Sequence, residues 1–92
     1  MPSILPIEDL QTRLSQLEGW SLEGNEIVRT FSFATYLKGI DFVNAVAREA
    51  EVMNHHPDLL VTGRKVTVRL TTHSAEGVTE LDFKLAKFCS ET

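Results

Sequence analysis

Glu51-Val-Met-Asn-His-His-Pro-Asp-Leu-Leu60-Val-Thr-Gly-Arg-Lys-Val-Thr-Val-Arg-Leu70 contains the change of periodicity that decides the fold. Pro57 disfavours helical geometry at the residue before it, so a helix arriving from upstream should end near His55. Beyond it, Leu59 to Thr62 is a short apolar run and Gly63-Arg64 can turn the chain. Val66, Val68 and Leu70 then alternate with Lys65, Thr67, Arg69 and Thr71. That pattern predicts a β-hairpin with one buried and one wet face.

Upstream, the period is helical from Thr35 to Asn54. Tyr36, Ile40, Val43, Ala47 and Ala50 form one stripe, widened by Phe42, Val46 and Met53, with Asp41, Asn44, Arg48, Glu49 and Glu51 polar. About 20 helical residues would span about 30 Å. Before them, alternation on either side of Gly24-Asn25 predicts a first hairpin, with strands at about 20–23 and 26–33. Ile7, Leu10, Leu14 and Leu17 follow Pro6 at helical spacing, so a first helix of about three turns should run to Gly19. Downstream, Thr79 suits an N-cap and Asp82 the third helical position, while Val78 and Phe83 are placed as a hydrophobic staple. Leu81, Leu85 and Phe88 would be the buried stripe of this last helix. The order α-β-β-α-β-β-α predicts an α+β fold: a four-stranded antiparallel sheet with three helices packed on one face, formed by residues 1–92 as one domain. The other sheet face and both edges would need cover or a partner chain.

Composition narrows the function. The 92 residues are 42% hydrophobic and 24% charged, which is ordinary globular composition. Nine Lys and Arg against 13 Asp and Glu give a net charge of −4, which disfavours direct nucleic-acid binding. The single Cys89 cannot form an intrachain disulfide. No apolar run approaches the roughly 18 residues of a membrane span, and the first ten residues lack the basic start of a secretory signal. The expectation is a soluble, cytoplasmic domain.

Chemistry falls to His55, His56 and His73. Two lie at the end of the long helix and one just past the last strand, and these ends meet if the hairpins share a sheet. The helix dipole and Glu51, four residues earlier, would favour an imidazolium at His55. An imidazole that titrates near neutrality can give and take a proton in one cycle. Asp82 could orient His73 or a ligand group. Each feature also has a plainer meaning: a polar helix end, a surface histidine, a capping aspartate. Zinc binding is not expected, because adjacent histidines make awkward ligands and no Cys or carboxylate completes a spacing.

Together, Glu51, His55-His56-Pro57, His73 and Asp82 resemble the pattern of the pterin-4a-carbinolamine dehydratases, and the resemblance covers nearly the whole chain. Leu17, Gly19-Trp20, Phe31-Ser-Phe33, Phe42 and Thr71-Thr-His73 share it. The resemblance implies dehydration of a 4a-hydroxytetrahydropterin to the quinonoid dihydropterin, in the service of aromatic amino acid hydroxylases and without metal or organic cofactor. It implies His55 and His73 as an acid/base pair and His56 as the residue that binds and orients the pterin. Glu51 would tune His55, Asp82 would support the site, and Pro57 and Thr72 would join His56 in contacting substrate. It also implies a homodimer or homotetramer joined by sheet edges. The chain departs from the family pattern at Leu59 and Gly63, where aromatics are usual, which bears on stacking against a flat pterin. The rival reading is a non-catalytic module, similar to relatives that act as a dimerisation cofactor or an assembly factor. Such relatives tend to lose the histidines, and all three are present here.

Overall fold

The computed structural model describes residues 3–92. Its elements are α1 (Ile7–Ser15), β1 (Ser21–Glu23), β2 (Glu26–Ser32), α2 (Tyr36–Met53), β3 (Asp58–Thr62), β4 (Lys65–Leu70) and α3 (Glu80–Glu91), with a 3-10 turn at His73–Ala75 before α3. This is the expected α+β order. The four strands form one antiparallel sheet in the order β1-β2-β4-β3. The hairpins join through β2 and β4, where Ile27 pairs with Leu70 and Phe31 with Val66. In both hairpins a glycine with positive φ, Gly24 or Gly63, takes the first loop position, a conformation that costs glycine little.

Strand alternation separates the two faces. Ile27, Val66, Val68 and Leu70 are fully buried. They share one core cluster with Leu10 of α1, Phe42, Val46 and Ala50 of α2, and Phe83, Leu85, Ala86 and Cys89 of α3. All three helices therefore cover the same face, and each large aliphatic side chain buried there contributes about 1.5–3 kcal/mol. The opposite face carries a Thr30–Thr67 hydroxyl contact of 2.9 Å. Arg69 on that face reaches Glu23 at 3.2 Å and Glu26 at 3.3 Å.

Three details differ from the sequence expectation. Helix α1 stops at Ser15, because Gln16 and Leu17 donate to Arg13 and Leu14, tightening the last turn, and Gly19 at φ +91 redirects the chain. The Arg29 side chain lies within 2.7 Å of where a Cβ on Gly19 would sit. Helix α2 buries Gly39, Phe42, Val46 and Ala50, leaving Tyr36 and Ala47 exposed. Its core face is thus rotated from the expected stripe toward the residues that were expected only to widen it. Helix α3 buries Asp82, Phe83, Leu85, Ala86 and Cys89, with Leu81 and Phe88 only half-buried. The observed core face thus includes a carboxylate, Asp82, which the apolar pattern does not mark. No helix among the described residues is long and apolar enough to cross a membrane.

Candidate active site

The site grows from the start of α3. Thr79 is its N-cap, in an extended conformation, and forms a capping box with Asp82. The Thr79 backbone N–H donates to Asp82 Oδ2 at 2.8 Å, and Leu81 N–H donates to Thr79 Oγ1 at 3.3 Å. At an exposed helix start that would complete the role of Asp82. Here its side chain is 0% exposed, and a buried carboxylate needs further donors. Two converge on it. The Thr72 hydroxyl donates to Oδ2 at 2.8 Å, and Nε2 of His55 lies 2.5 Å from Oδ1. Thr72 is held in place by a bridge to Gly77, with its N–H donating to the Gly77 carbonyl at 2.9 Å.

The end of α2 explains how His55 arrives. Asn54 caps the helix in the left-handed conformation, and the His55 N–H reaches back to the Ala50 carbonyl at 3.0 Å. This is a Schellman-type ending with Asn in the role glycine often fills. It takes His55 out of the helix and turns its ring inward, where the residue is only 8% exposed. His56 points outward, and its Nε2 contacts Glu51 Oε2. The expected Glu51–His55 pair is therefore not formed. An i, i+4 contact requires the helix to continue, and the left-handed cap hands Glu51 to the next histidine instead.

The expected contact of Asp82 with His73 is also absent, since the partners of Asp82 are His55, Thr72 and Thr79. His73 lies exposed in the 3-10 turn, one residue beyond Thr72. The Thr72 hydroxyl is directed to Asp82 and Thr79 inside the protein. Pro57 is half-buried between His56 and β3.

Sheet register brings these pieces to one end of the molecule. Asp58, at the start of β3, pairs with Arg69 near the end of β4. His55-His56-Pro57 and Thr72-His73 therefore flank the same end of the β3–β4 pair. His55 uses Nε2 inward, and its Nδ1 bonds to none of the described residues. No buried side-chain nitrogen or oxygen among those residues lacks a partner, so Nδ1 is the ring atom open to solvent. Leu59 packs against the core. Gly63 sits at the hairpin tip beyond Thr62. No group of three or more His, Cys, Asp or Glu among the described residues is gathered as metal ligands.

Thr79 is the member of this network that the sequence did not reveal as part of the site. It read as an N-cap alone, and only the burial of Asp82 ties the cap to a histidine. A groove of about 360 Å³ lies elsewhere, between α1 and α3, lined by Arg13, Leu17, Phe83 and Lys87 among others.

The fold is a small α+β domain in which one imidazole, His55, meets a buried carboxylate and two exposed ones, His56 and His73, lie nearby along the chain at the same end of the sheet. The family described as Pterin 4 alpha carbinolamine dehydratase matches residues 3–92. A relative from Trichodesmium erythraeum is 43% identical over 90 residues, covering 98% of this chain and 97% of its own. One from Picosynechococcus is 45% identical over 86 residues, covering 94% of each. Both carry the provisional name pterin-4-alpha-carbinolamine dehydratase. A crystal structure described as a transcriptional coactivator/pterin dehydratase from Brucella melitensis superposes with a TM-score of 0.93 at 34% identity, covering 97% of each chain. This chain belongs to the pterin-4-alpha-carbinolamine dehydratase family.

Proposed function

We propose that this protein dehydrates a 4a-hydroxytetrahydropterin, of the tetrahydrobiopterin type, to the quinonoid dihydropterin and water, recycling the pterin of aromatic amino acid hydroxylases. The C4a hydroxyl leaves as water once protonated, and the N5 proton is lost as the C4a=N5 bond forms. One acid gives a proton and one base takes one, so the reaction balances without metal or organic cofactor. His55 and His73 form the acid/base pair. His55 contributes its outward Nδ1, and His73 stands exposed beside Thr72. His56, steadied by Glu51, binds and orients the pterin. Asp82 positions His55 rather than touching substrate. The observation that carries this reading is the buried Asp82–His55 contact next to two exposed imidazoles at one sheet end, and the family of the chain supports it.

The test is the dehydration rate of a synthetic 4a-carbinolamine. His73→Ala should lower it by about 10²-fold with the folded structure intact, because an acid/base group contributes about 10²–10⁴. Full activity in both His73→Ala and His56→Ala would overturn the assignment.

A second reading, a partner-binding module, draws on the description of the Brucella protein as a coactivator. It is favoured by the exposed apolar residues Tyr36, Leu37 and Val52 on α2. A wild-type chain that leaves the carbinolamine untouched would select it. We also propose that a homodimer or homotetramer covers the open edges β1 and β3, which light scattering would measure. A cytoplasmic location suits the single buried thiol.

A further inference from the structure

We infer that Thr79, acting through Thr72 and Asp82, fixes the ring tautomer of His55 and is thereby a positioning residue for the dehydration proposed above, on which this role rests. The argument is a count of hydrogens. Thr72 has one hydroxyl proton, and it goes to Asp82 Oδ2. The 2.7 Å contact between the Thr72 and Thr79 hydroxyls must therefore be donated by Thr79. Thr79 Oγ1 in turn accepts from the Leu81 N–H. The chain runs one way, from the Leu81 amide to Thr79 to Thr72 to the carboxylate.

The reverse order is disfavoured. It would place a proton on Asp82 Oδ2, pass one from Thr72 to Thr79, and leave the Thr79 hydroxyl hydrogen without an acceptor among the described residues, since the Leu81 N–H beside it is a donor. The Thr79 amide also points at Oδ2 and likewise cannot accept. Two backbone amides thus set the polarity of two hydroxyls that could otherwise rotate. Both threonines and the aspartate are buried, so water does not compete for these bonds. With two donors on Oδ2, Asp82 faces His55 as an acceptor, and the shared hydrogen sits on His55 Nε2. A neutral His55 then carries its lone pair on Nδ1, the solvent-facing atom. An N-cap of α3 and a proton-transfer group on the α2 side are thereby parts of one device.

The test reads the ring nitrogens of His55 in the full-length, ¹⁵N-histidine-labelled chain, without substrate, assigned with His56→Gln and His73→Gln. Wild type and Thr79→Ser should both show a single neutral tautomer, Nε2–H. Thr72→Val, which keeps the backbone cap, and Thr79→Val should both populate the Nδ1–H form. Each should lower kcat roughly tenfold with KM little changed, a fraction of the full acid/base contribution. The Thr72→Val and Thr79→Ser pair preserves the test if Thr79→Val does not fold. An Nδ1–H ring in wild type, or an unchanged tautomer and pH–rate profile in Thr72→Val, would overturn the inference. Because the tautomer is read without substrate, a chain inactive on the carbinolamine but showing the tautomer shift would separate this wiring from the reaction it is proposed to serve.

Discussion

The two ends of α3 are tied to the rest of the molecule by similar sets of hydrogen bonds in opposite surroundings. At the N-terminal end, Asp82 accepts from Thr72 and the Thr79 amide and contacts His55, all inside the protein. At the C-terminal end, the exposed Ser90 accepts from Trp20 Nε1 at 3.0 Å and Arg29 Nη1 at 3.2 Å. Arg29 also lies over the Phe31 ring, 4.3 Å from its centroid, and donates to the Glu18 carbonyl. Water can replace a lost partner at the second end and cannot at the first. The buried end should therefore be rigid and unforgiving, and the exposed end should tolerate change. The proposed chemistry falls at the buried end, where a fixed orientation would matter.

The comparison breaks most visibly at Asp82. Asp82→Ala strands the Thr72 hydroxyl, the Thr79 amide and His55, and should cost about 3–5 kcal/mol of stability in urea titration, with loss of dehydration. If Ser90→Ala cost as much, burial would not be what distinguishes the two ends. Cys89, buried on the same helix, is the next lever, since desolvation pushes its thiol from 9.0 up to about 12. The folded chain therefore holds its proton where the unfolded chain has lost it. Stability should be unaffected below pH 9 and should fall as pH rises from there toward 12, and the native thiol should react slowly with a disulfide reagent at pH 8. Ser90→Ala should cost only about 1 kcal/mol in the same urea titration, the ordinary net worth of a hydrogen bond. Smallest of all is Glu80→Gln. Its pairing with Arg13 at 3.4 Å joins side chains 61% and 38% exposed, and its loss should shift stability by less than about 1 kcal/mol and vanish in high salt.

Much of the fold was legible because its signals are local. Pro57, the Gly24 and Gly63 turns, the Thr79 cap and the alternation of Val66, Val68 and Leu70 each act within a few residues, and the elements formed where these signals stand. The helix faces were less legible. Helix α2 carries apolar residues around more than half its circumference, so periodicity admits two stripes, and packing against the sheet chose the one through Phe42 and Val46. Helix α3 buries a charged residue, which no hydrophobic pattern announces. The candidate site divides the same way. Its histidines and carboxylates were visible as residues, while their partners were not. Glu51 met His56 because Asn54 ended the helix in the left-handed conformation, and the same turn left His55 against Asp82, which Thr72 also reaches from beyond the end of β4.

By itself, then, the amino-acid sequence determined the elements, their order and the inventory of proton-carrying side chains, since propensity, capping and turn chemistry depend on near neighbours along the chain. Only the tertiary structure decided which carboxylate serves which imidazole and which ring nitrogen faces out. Those choices depend on which groups are removed from water together, and burial is a property of the assembled fold.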